Sequence, residues 1–95
     1  MSTTSASVAV RCLVAGRVQG VYYRSATAAE ARRLELDGWV KNLADGRVEV
    51  VAAGAPAALA KLAGWLWKGP PASRVESVLL EEWTESVPAG FVVAK

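Results

Sequence analysis

The chain has no histidine and only one cysteine among its 95 residues. Without histidine there is no imidazole general base, no His-dependent triad and no His-ligated metal site. Cys12 alone forms neither an intrachain disulfide nor a thiolate zinc cluster, so nothing marks an oxidising compartment and a cytoplasmic setting is expected. Long apolar runs are also missing. Met1 to Ala15 lacks a basic stretch ahead of its apolar residues and is interrupted by Arg11, which argues against a signal peptide. Val50 to Ala60 is far short of a membrane span and carries Gly54 and Pro56, so no membrane association is expected. Strong charge of one sign is absent too. Lys plus Arg number 11 against 9 Asp plus Glu, a net charge of +2. That leaves room for a small anionic ligand but supplies no dense basic stripe for a nucleic-acid backbone. Gly16 and Gly20 fit neither the dinucleotide nor the nucleoside-triphosphate glycine fingerprint.

What is present is apolar residue in quantity, 53% of the chain, enough to rule out intrinsic disorder at a length that accommodates one domain. Residues 1–6 are small and polar and read as a flexible tail, leaving 7–95 as the domain. Alternation from Ser7 to Ala15 predicts a strand. A glycine loop follows, and Arg24 to Leu36, rich in Ala, Arg, Glu and Leu, predicts a helix. Trp39 to Leu43 and Arg47 to Ala53 read as strands joined at Asp45-Gly46, a dipeptide suited to positive φ angles in a tight hairpin. Pro56 and the recurrence of Leu59, Leu62, Ala63 and Leu66 predict a second helix, stopped by Gly69-Pro70-Pro71. Arg74 to Trp83 reads as a strand whose uneven spacing of Val75, Val78 and Leu80 calls for a bulge, and Phe91 to Ala94 as a short edge strand. The order βαββαβ defines an α+β, ferredoxin-like sandwich: a four- to five-stranded antiparallel sheet with two helices on one face.

The chemistry concentrates in a glycine loop, an arginine and an asparagine. Gly16 to Arg24 runs from a strand end into a helix start, where successive backbone N–H groups and the helix dipole favour an anion such as phosphate. Arg24 in the first turn can close that cradle with a bidentate guanidinium. The same residues also fit an ordinary strand-to-helix turn with a solvated arginine. Asn42, taken alone, reads first as a residue shaping the hairpin. Tyr22 and Tyr23 read as aromatic packing, with one of them available to wall a ligand pocket. Trp39, Trp65, Trp67 and Trp83 read as core or rim packing, since no basic residues interleave with them. Glu81 and Glu82 point to opposite faces of a strand and read as solvated edge charges.

Gly16-Arg17-Val18-Gln19-Gly20-Val21-Tyr22-Tyr23-Arg24 closely resembles the acylphosphatase signature, and Gly38 to Glu49 resembles that family's strand-and-hairpin segment, which carries its catalytic asparagine. The resemblance continues through Gly69-Pro70-Pro71-Ala72-Ser73-Arg74-Val75 and covers the chain from about Val10 to Phe91. It implies an enzyme that hydrolyses the carboxyl–phosphate anhydride of small acyl phosphates. Arg24 and the backbone of Gln19, Gly20, Val21, Tyr22 and Tyr23 would bind phosphate, and Asn42 would orient the attacking water. It also implies no metal, no cofactor and no covalent phosphoenzyme, a chemistry suited to a chain without histidine. Two positions depart from the family pattern. Leu43 stands where a hydroxyl residue is frequent, and the chain ends Val92-Val93-Ala94-Lys95 where many members carry Arg-Tyr.

Two other classes are weighed against this reading. A non-catalytic module would bind phosphate or acyl phosphate without turnover. An RNA-binding ferredoxin-like domain would need aromatic residues on its central strand, and Arg47 to Ala53 has none. The expected partner is therefore a small molecule rather than nucleic acid, and the expected state is a monomer.

Overall fold

A computed structural model describes residues 8–94; the expected tail at 1–6, a strand start at Ser7 and any role of Lys95 lie outside the described residues. The elements follow in the order β1 (Val8–Arg17), α1 (Tyr23–Arg33), β2 (Asp37–Asn42), β3 (Val48–Gly54), α2 (Pro56–Lys68), β4 (Arg74–Glu82) and β5 (Phe91–Val93). They build one five-stranded sheet in the order β4-β1-β3-β2-β5.

Alternation in the strands sorts side chains between two faces. Cys12 and Val14 of β1, Val40 of β2, and Val48 and Val50 of β3 join Ala28 and Ala31 of α1 and Leu59, Leu62 and Leu66 of α2 in one buried cluster. Both helices therefore cover the same face. Each fully buried leucine in that cluster contributes about 1.5–3 kcal/mol of transfer free energy. The other face carries no helix and sets a charged cluster among apolar residues, with Leu13 and Val51 buried on it. On it Arg11 donates to Glu49 at 2.7 Å and to Glu81 at 3.0 Å, and the Trp39 indole N–H donates to Glu49 at 3.0 Å. Trp83 meets Trp39 edge-to-face at 5.7 Å between centroids. Glu81 is the solvated edge charge expected, and it also pairs with Arg11, because β4 at the sheet edge places it directly opposite.

Three details differ from the reading of the sequence. The sheet is antiparallel through β4, β1, β3 and β2, but β5 runs parallel to β2, which makes the sheet mixed. The loop 83–90 leaves β4 and returns to the sheet at the same end, with Gly90 N–H bound to the Asp37 carboxylate at 2.8 Å, so the last strand must point the way β2 points. Helix α1 stops at Arg33 and not Leu36. Glu35 takes a left-handed φ of 60°, and the N–H groups of Glu35 and Leu36 return to the carbonyls of Arg32 and Ala31. This is a Schellman-type end without the glycine that usually announces one. The β2–β3 hairpin places positive φ at Gly46 and not at Asp45, with Gly46 N–H returning to Leu43 O and Leu43 N–H to Arg47 O. That is a longer loop with a glycine bulge, not a two-residue turn. The bulge in β4 is present as the spacing requires: Ala15 faces Ser77 and Gly16 faces Val75, leaving Glu76 as the extra residue.

Candidate active site

The loop 18–22 is fixed by its two valines. Val18 and Val21 are buried, so the residues between and after them stand at the surface. Gly20 has φ 74°, and Tyr22, the residue ahead of α1, has φ 64° and ψ 17°. Left-handed residues alternating with ordinary ones turn successive N–H groups toward one side of a chain, the arrangement that holds anions. Among the described residues no side chain caps the start of α1, which leaves its first N–H groups to another acceptor.

Tyr23 anchors the helix start from below. Its ring is 1% exposed, stacks at a tilt against Trp65 with centroids 5.9 Å apart, and donates its hydroxyl to Leu66 O at 2.6 Å. That carbonyl belongs to the last turn of α2, where no intrahelical donor remains. Burial pushes the Tyr23 phenol far above its ordinary value, so it stays a neutral donor.

Above this anchor lies a cavity of about 360 Å³ whose lining includes Val18, Gly20, Tyr22, Arg24, Ser25 and Asn42. Among the described residues that line it Arg24 is the one that carries charge, a guanidinium suited to an anion. One Arg24 nitrogen donates to the Ala94 carbonyl at 2.9 Å. A guanidinium has five N–H donors, and this bond fixes its plane while leaving others for a ligand. Asn42 ends β2 at the cavity wall, and its Oδ1 is buried with no hydrogen-bond partner among the described residues. Ser25 Oγ rests on Tyr22 O at 3.2 Å.

The structure brings Arg24, Asn42, Gly20, Tyr22 and Tyr23 to one cavity, while two other residues from the expected loop serve it from outside. Val21 points into the core. The Gln19 side-chain amide donates to Leu43 O and Arg47 O, each at 2.9 Å, and so clamps the hairpin that follows Asn42. The backbone of Leu43 thereby serves the loop without a side-chain hydroxyl. Ser25, Val93 and the Ala94 carbonyl were not foreseen. Ser25 follows Arg24 in the first turn, a signal that was available. Val93 and Ala94 arrive through the crossing of loop 83–90, for which local sequence carries no sign. Among the described residues no cluster of three His, Cys, Asp or Glu side chains is placed to hold a metal ion, and no helix is long and apolar enough to cross a membrane.

A guanidinium, a carboxamide and an uncapped helix start thus converge on one cavity of a ferredoxin-like α+β sandwich, an arrangement whose chemistry suits a small oxyanion. The family model for acylphosphatase matches residues 10–93. The acylphosphatase of Halorhodospira halophila is 50% identical over 93 residues, 98% of this chain and 99% of that one. The acylphosphatase of Pseudomonas aeruginosa is 49% identical over 90 residues, 95% of this chain and 99% of that one. The solved structure of an acylphosphatase from Coxiella burnetii superposes with a TM-score of 0.93 at 38% identity, covering 99% of this chain and 100% of that one. The chain belongs to the acylphosphatase family.

Proposed function

We propose that this chain hydrolyses small acyl phosphates to a carboxylate and inorganic phosphate, with Arg24 and the loop backbone from Gln19 to Tyr23 holding the phosphoryl group and Asn42 orienting water. The observation that carries the reading is the buried, unpartnered Oδ1 of Asn42 on the wall of a cavity whose charged lining residue is Arg24. A buried acceptor without a partner is costly unless a ligand or water satisfies it, and an attacking water does so in the orientation the reaction needs.

In the reaction the water oxygen bonds to phosphorus as the phosphorus–oxygen bond to the acyl group breaks. The leaving group is a carboxylate, which is stable at neutral pH and needs no proton. The proton of the water passes to an oxygen of the substrate's own phosphate. The protein's part is positioning and charge stabilisation: Arg24, its plane set by Ala94 O, faces the phosphoryl oxygens, and the first N–H groups of α1 share their charge. No strong base is required of a chain without histidine.

A monomer in the cytoplasm, acting on a small molecule and not on nucleic acid, completes this reading. The free and buried Cys12 and the modest charge support it. The test is hydrolysis of benzoyl phosphate in EDTA by wild type, Arg24→Gln and Asn42→Ala. Turnover by the wild type and its loss in both variants is expected. A folded wild type that binds phosphate without turnover would instead make the chain a non-catalytic phosphate-binding module.

A further inference from the structure

Tyr22 occupies a position that neither packing nor backbone geometry explains. Its side chain is 83% exposed, beside a neighbour, Tyr23, that is buried and hydrogen-bonded. Its φ of 64° lies in the left-handed region, where a bulky side chain is strained and glycine or asparagine sits with less cost. The left-handed backbone has a cause: with Gly20 it shapes the loop that precedes α1. The aromatic ring has none in the folded protein. A residue kept large, apolar and exposed at a place that disfavours it, and lining a ligand cavity, is accounted for by what enters that cavity.

The lining itself divides. Arg24, Ser25 and Asn42 offer polar groups, whereas Tyr22 and Val93 offer apolar surface that is open to solvent, Val93 being 41% exposed. An acyl phosphate has the same division, an anionic phosphoryl end joined through one oxygen to an acyl group that carries no charge. With the phosphoryl end at the helix start, the acyl group emerges at the rim where these two side chains stand. We infer that Tyr22 is the platform for the acyl group and sets a preference for aromatic or bulky acyl phosphates over short aliphatic ones. The inference rests on the acyl-phosphate reading of the site. A phenol ring supplies dispersion and offset stacking to a flat acyl group and almost nothing to a methyl group, so the discrimination lies in ground-state and transition-state binding alike and is read in KM.

The experiment compares benzoyl phosphate with acetyl phosphate, and uses inorganic phosphate as an inhibitor that has no acyl group. Tyr22→Asn removes the ring and keeps a residue that accepts left-handed φ, and Tyr22→Phe keeps the ring. Circular dichroism confirms that each variant is folded. In Tyr22→Asn the ratio of kcat/KM for benzoyl to acetyl phosphate is expected to fall about three- to ten-fold, carried by KM. The KM for benzoyl phosphate should rise relative to the inhibition constant for phosphate, and Tyr22→Phe should keep the wild-type ratios. Equal losses on both acyl phosphates in Tyr22→Asn, with phosphate inhibition weakened in parallel, would overturn the inference and assign Tyr22 to the phosphate loop alone. An unchanged ratio in an active Tyr22→Asn would overturn it as well. A folded wild type inactive on both substrates would instead remove the acyl-phosphate reading on which it rests.

Discussion

Arg24 donates to the carbonyl of Ala94 at 2.9 Å, joining the first turn of α1 to the residue that follows the last strand. That bond selects one orientation of a long side chain before any ligand arrives. Arg32 repeats the pattern about two turns on, donating to Phe91 O at 2.9 Å, so α1 holds β5 at both ends. Deleting the chain from Ala94 onward should leave the fold intact, since the strands end at Val93, while lowering kcat/KM by about ten-fold through a less ordered guanidinium. Steady-state kinetics beside thermal melts separate the two effects; unaltered kinetics would show that Arg24 is oriented without this bond.

Arg24→Lys should not rescue activity. An ammonium has no planar fork and cannot bond Ala94 O and two phosphoryl oxygens together, so a loss of at least about 10²-fold in kcat/KM is expected. Turnover near the wild-type level would show that charge alone suffices.

Asn42→Ala should act on kcat more than on KM, by about 10²-fold, because the carboxamide is spent on the water and not on the ground-state substrate. Its Oδ1 has no partner to lose among the described residues, so stability should change little. A pure KM effect would place Asn42 in substrate binding.

Gln19→Ala should give the opposite pattern of stability. Two carbonyls, of Leu43 and Arg47, lose the side-chain donor they share and keep their backbone donors, at a cost of about 0.5–1.5 kcal/mol in urea unfolding. Because the clamp sits on the residue after Asn42, kcat should fall with it. Loss of stability with kcat preserved would show that the hairpin holds Asn42 without Gln19.

The helix-free face of the sheet governs acid sensitivity. Burial pushes the Glu49 carboxyl up, but the Trp39 indole, the Arg11 guanidinium and the Lys41 ammonium outweigh it and hold the group below its usual range. A carboxyl with a lowered value in the folded chain contributes stability that is present above its unfolded value, about 4.3, and lost as pH falls through the folded one. The melting temperature should therefore drop as pH is taken down from 5, and drop less steeply in Glu49→Gln. Parallel profiles for the two proteins would show that Glu49 is not the group responsible.

How far the sequence carried the structure depends on how local each feature is. Alternation in β1 and β3, the leucine recurrence of α2 and the uneven valines of β4 are all written within a few residues, and each element is found where its pattern lies. The end of α1 was hidden because Glu35 occupies the left-handed position that glycine normally marks. The direction of β5 was hidden because it follows from the route of loop 83–90 across three strands. The same split runs through the site. Arg24, Asn42 and the loop between Gln19 and Tyr23 were legible as a motif, whereas Val93 and the Ala94 carbonyl reach the cavity by topology alone.

The parallel pairing of β5 with β2 also sets a time order. Gly38 meets Phe91 and Arg24 meets Ala94 only after long stretches of intervening chain have been closed into loops, and such contacts form late because their entropy must be met first. The hairpin of β2 and β3 and the two helices are built from near neighbours and need no such closure. On dilution from denaturant, hydrolysis should return after the far-ultraviolet helical signal, its lag reporting the moment at which the final strand docks.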